Sequence, residues 1–101
     1  MNKQELEVLA GHVQAALAEG RKAADTVEDR GTCNMDRATL YLPGTREASL
    51  KASGIRAYKL GSVFALGAVY GQADKNTAGV KAVADYLSAR GYDASVWYQM
   101  D

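Results

Sequence analysis

Ile55-Arg-Ala-Tyr-Lys-Leu-Gly-Ser-Val-Phe-Ala-Leu-Gly-Ala-Val-Tyr70 is the stretch on which the fold turns. It breaks at Gly61-Ser62 into two apolar runs, Ile55 to Leu60 and Val63 to Tyr70. A short Gly-containing connection between two such runs reads as a hairpin, since Gly reaches backbone angles that tight turns need. Upstream, Asp36 to Leu42 alternates with a period of two, as a strand does. Ala38, Leu40 and Leu42 fall on one side, and Arg37, Thr39 and Tyr41 on the other. Pro43-Gly44 stops that strand, and a short helix follows from Thr45 to Ser53 with Gly54 as its left-handed stop. Downstream, Gly71-Gln-Ala-Asp-Lys75 is a loop, and Asp74 or Asn76 caps a helix with an apolar stripe of Val80, Val83, Ala84 and Leu87. Gly91 ends that helix after Arg90, and Tyr92 to Gln99 is the last strand, rich in aromatic and β-branched side chains.

In order, these elements are β-α-β-β-α-β. That order is the signature of an α+β, ferredoxin-like split βαβ sandwich, in which two helices cover one face of a four-stranded antiparallel sheet. An additional helix precedes it over residues 3–24. Asn2 caps this helix with Glu5 three residues on, and Leu6, Leu9, Val13, Ala16 and Leu17 form one apolar stripe. Gly11 and Gly20 each weaken it by roughly 1 kcal/mol relative to Ala, so its far end is expected to fray. Residues 25–35 are polar and breaker-rich and read as a loop, leaving 36–101 as the core of a single domain.

Composition narrows the function classes. The 101 residues suffice for one core, and 12 Lys and Arg balance 12 Asp and Glu, so no global field attracts nucleic acid or an acidic membrane. Cys33 and His12 are the sole residues of their kinds. No intrachain disulfide forms, no HxxxH or CxxC spacing exists, and neither metal nor cofactor is expected. The polar N-terminus is unlike a signal peptide, and the most apolar run, Val63 to Tyr70, is too short to span a bilayer. A cytoplasmic protein without membrane contact is the expectation.

The sheet face away from the helices carries the main candidate site. With Ala38, Leu40, Ile55, Ala57, Ala94 and Val96 inward, Arg37, Tyr41, Arg56, Tyr58, Trp97 and Gln99 project outward alongside Thr39 and Ser95. Val63 to Tyr70 is apolar on both sides, so Phe64 or Tyr70 is free to join either face. Two readings compete. Aromatic rings with arginines between them form a stacking platform for single-stranded bases, each worth about 1–3 kcal/mol. Alternatively the stripe of the N-terminal helix, or a second copy of the chain, covers this face.

Two polar clusters are weaker candidates. Cys33, Asn34 and Asp36 precede the first strand, where a Cys nucleophile would need a base such as His12; turn hydrogen bonding is the plainer account. Gln72, Lys75 and Asn76 lie at a helix N-terminus, where free N–H groups and a lysine suit an anion.

Thr39-Leu40-Tyr41-Leu42 resembles the first-strand aromatic signature of RNA-recognition-motif domains. The sequence departs from that pattern at Val63, Phe64 and Ala65, where a denser aromatic and basic motif belongs. Over residues 31–101, Gly31-Thr-Cys-Asn-Met-Asp36, the Leu-Tyr-Leu-Pro strand end, Gly71-Gln72 and Gly91-Tyr-Asp-Ala-Ser-Val-Trp-Tyr-Gln-Met-Asp101 resemble small uncharacterised proteins encoded by bacteriophages and prophages. The resemblance implies an accessory protein that acts by binding, with a host defence complex among the conceivable targets, and it carries over no catalytic residue. The sequence therefore points to a non-catalytic, self-associating protein-binding domain with the aromatic sheet face and the N-terminal helix as its contact surfaces, with single-stranded nucleic-acid binding second and a small enzyme or ligand-binding domain around Cys33, Asn34 and Asp36 third.

Overall fold

A computed structural model of the chain describes residues 1–29, 31 and 34–98. Its elements are α1 (Lys3–Ala24), β1 (Arg37–Leu40), α2 (Glu47–Ala52), β2 (Ala57–Leu60), β3 (Val63–Leu66), α3 (Ala73–Ala89) and β4 (Ala94–Trp97). The start of α1 is the expected capping box: Asn2 Oδ1 accepts from Glu5 N–H at 2.7 Å, and Glu5 Oε1 accepts from Asn2 N–H at 2.8 Å. Its far end does not fray at Gly20. The helix runs on to Ala24, and Lys75 Nζ donates to Ala24 O (2.9 Å) and Val27 O (3.3 Å), tying the end of α1 and the turn after it to the start of α3.

The four strands form one antiparallel sheet in the order β2-β3-β1-β4. Gly61, with φ of 63°, turns β2 into β3 as read from the sequence. β3 is shorter than its apolar run. It ends at Leu66, and Gly67 N–H makes a last bond to Arg56 O (3.0 Å) before the chain leaves the sheet. Tyr70 N–H goes instead to Asn76 Oδ1 (2.9 Å), beside the start of α3. That start is also corrected: Gln72, and neither Asp74 nor Asn76, is the N-cap.

The helix layer differs from the expected pairing. Leu6, Leu9, Val13 and Ala16 of α1 join Val80, Val83 and Leu87 of α3 and Ala38, Leu40, Phe64 and Leu66 of the sheet in one core, and α1 runs along α3. The apolar stripe of α1 is therefore spent on the same face that α3 covers, and it does not lie over Tyr41 and Trp97. α2 is only six residues long. It packs on β2, buries Leu50, and uses Glu47 Oε1 to accept the Lys59 N–H (2.6 Å) at the sheet edge. Neither Phe64 nor Tyr70 joins the outer face, since both are in the core.

Tyr70 joins the two long helices. Its ring lies between Gly20 of α1 and Gly79 of α3, its hydroxyl donates to Leu17 O (3.0 Å), and the Arg21 guanidinium sits 5.0 Å from the ring centroid. A Cβ on Gly20 would meet the phenol oxygen at 2.6 Å, and one on Gly79 would enter the ring. The glycine that weakens α1 locally is thus what lets α1 seat against Tyr70.

Candidate functional site

Strand register arranges the outer face in rows. Tyr58 pairs with Ala65, Ala65 with Thr39, and Thr39 with Ser95 across all four strands. In the next row the Arg56–Gly67 bond and the Arg37–Trp97 pair lie side by side. On the other flank Leu60 pairs with Val63, and Tyr41 N–H donates to Asp93 O (2.9 Å). Side chains alternate faces along a strand, so these rows share the side away from α1 and α3. Ala65 bears this out. It is fully buried, yet it is the one buried apolar residue, among those described, outside the core cluster.

Small residues line the middle of this face and rings stand around them. Ala65 and Thr39 are covered by their neighbours, and the Thr39 hydroxyl bonds the Ser95 hydroxyl at 2.9 Å. Tyr41, Tyr58 and Trp97 remain 45%, 42% and 44% exposed. Leu60 and Val63 belong to the same surface and were not identified as part of it by sequence. The hairpin at Gly61-Ser62 was the signal, because it fixes that pair beside the turn.

The charges are fewer than the alternation implied. Arg37 has the expected register but is only 9% exposed, and its guanidinium donates to Asp36 O (2.8 Å). Lys59 points to the opposite side, its ammonium 4.6 Å from the Phe64 ring centroid. Arg56 is exposed, and with Lys51, Tyr58 and Gly67 it lines a shallow depression at one corner. Asp93 stands exposed at the far corner, just ahead of β4. Gln99 lies outside the described residues.

The two polar clusters meet, and they serve the fold. Asn76 is wholly buried. Its amide donates to Asn34 Oδ1 (2.6 Å) and Asp36 O (3.1 Å) while its Oδ1 takes the Tyr70 N–H. Asn34 Nδ2 donates to Ala73 O (2.7 Å), and Thr77, a member the sequence reading missed, bonds Asp36 Oδ2 through its hydroxyl (2.8 Å). Lys75 is committed to the end of α1. The anion at the start of α3 comes from the chain itself, as Asp29 Oδ1 accepts the Gln72 N–H at 2.9 Å. An external anion would have to displace it. Cys33 lies outside the described residues, and His12 packs edge-on to Tyr92 with centroids 5.8 Å apart.

No protein-family model, curated protein or solved structure matches the chain. Among the described residues no helix is long and apolar enough to cross a membrane, and no group of three potential metal ligands occurs.

Proposed function

We propose that this is a non-catalytic, self-associating protein-binding domain of the phage accessory type, whose contact surface for its target is the outer sheet face. The observation that carries the reading is the exposure of Tyr41, Tyr58 and Trp97 around a smooth centre, on a face that neither long helix covers. Clustered exposed aromatics are costly in water and are the side chains that anchor protein interfaces. A groove for single-stranded nucleic acid needs cations along its length. Here Lys51 and Arg56 share one corner, Arg37 is buried, and Asp93 brings the opposite sign. Host proteins, a defence complex among them, fit such a surface better than a polyanion. The order β2-β3-β1-β4 supports reading the scaffold as a ferredoxin-like split sandwich whose second helix position has passed to α1.

A photo-crosslinking residue at position 58 is expected to capture a host protein, whereas the same residue at position 8, exposed on α1, is not. Equal capture at both positions contradicts the reading. Salt-sensitive quenching of Trp97, the only tryptophan, by oligonucleotides would assign the face to nucleic acid instead.

A further inference from the structure

The two edges of the sheet are finished differently. On β2 the groups of Ala57 and Lys59 turn outward, and Glu47 takes the Lys59 N–H. On β4 the Tyr41–Asp93 bond sets the alternation of the ladder. Asp93, Ser95 and Trp97 bond inward to β1, and Ala94 and Val96 direct their N–H and C=O groups out of the sheet. Ser88 Oγ donates to Ala94 O at 3.0 Å. Among the described residues, nothing reaches the Ala94 N–H or either backbone group of Val96. Ala94-Ser-Val-Trp97 also has no charge, no Pro and no bulge, the devices that keep an edge strand from pairing.

We infer that a second copy of this chain pairs with this edge, β4 against β4, antiparallel about a two-fold axis at Val96. The inference rests on the self-associating reading above and puts the second copy on the edge, leaving the face to the target. Val96 meets Val96 of the second copy as a doubly hydrogen-bonded pair, and Ala94 meets its Tyr98. Trp97 then lies beside Ser95 of the second copy on the outer face. Tyr98, 65% exposed in the single chain, comes against Ala94 of the second copy on the helix face. Each large ring is matched to a small residue. An axis at Ala94 is disfavoured because Val96 would then face Tyr92, whose N–H is already given to Leu87 O (3.2 Å). Two four-stranded sheets become one of eight, with two aromatic faces side by side and open.

Sedimentation of the full chain, with amide exchange followed residue by residue, tests this. The expected result is a dimer whose Val96 amide exchanges at least about tenfold more slowly than in the dilute monomer. Val96→Pro removes an N–H that the intrachain ladder does not use, so a folded but monomeric protein is expected. Ala94→Pro repeats the test at the strand's first residue should Val96→Pro disturb the core. A protein that stays monomeric at all soluble concentrations overturns the inference. So does a dimer whose Val96 amide exchanges at the monomer rate, or a folded proline variant that dimerises as well as the parent. Tyr41→Ser, with the crosslinking residue kept at position 58, separates this from the face reading, since it is expected to weaken target capture and leave the dimer intact.

Discussion

Tyr70 is the residue where helix, sheet and loop chemistry meet, and its ring sets the helical glycines it packs against apart from a helical glycine elsewhere. Gly79→Ala puts a methyl into the Tyr70 ring and is expected to destabilise the fold by about 2 kcal/mol. Gly11→Ala meets nothing within 4 Å on an exposed helix face and is expected to stabilise by about 1 kcal/mol. Urea denaturation of the two variants checks both signs. Burial raises the Tyr70 phenol above its ordinary pKa of 10.0, against a smaller downward pull from Arg21. The unfolded chain therefore releases this proton first. The contribution of Tyr70 is intact below pH 10 and is lost as pH rises through the folded value. Tyr70→Phe also loses the bond to Leu17 O, at a cost of about 1 kcal/mol near neutrality, and its gap to the parent is expected to narrow above pH 10.

At the scale of elements, the start of α3 is held by side chains far apart in sequence. Asn76→Ala would orphan the Tyr70 N–H and remove the bonds to Asn34 and Asp36, with an expected loss of about 3 kcal/mol in urea denaturation. Local signals made much of the rest legible in the sequence. The Asn2–Glu5 box, the stops at Gly54 and Gly91, the Gly61 turn and the alternation of β1 and β4 each depend on residues within four positions of one another. The meeting of Asn34 with Asn76, the capping of α1 by Lys75 and the fit of Gly20 to Tyr70 depend on tertiary approach, which no window of sequence displays. The outer face was legible as an alternation, but the burial of Arg37 was not, because alternation gives the side of the sheet and says nothing of what neighbours cover.

At the scale of the molecule, the placement of α1 decides what the outer face is for. By filling the layer beside α3, it takes up the apolar stripe that would otherwise have closed over Tyr41, Tyr58 and Trp97. An edge-paired dimer keeps that face open and doubles it. The most direct test is acrylamide quenching of a single tryptophan at position 58, in a Trp97→Phe, Tyr58→Trp background. Position 58 is on β2, at the opposite edge of the sheet from β4, so dimerisation through β4 leaves it untouched. The account predicts quenching as ready as that of a surface tryptophan, in monomer and dimer alike. A tryptophan at position 58 shielded in the isolated protein would mean that the face is already covered, and would contradict it.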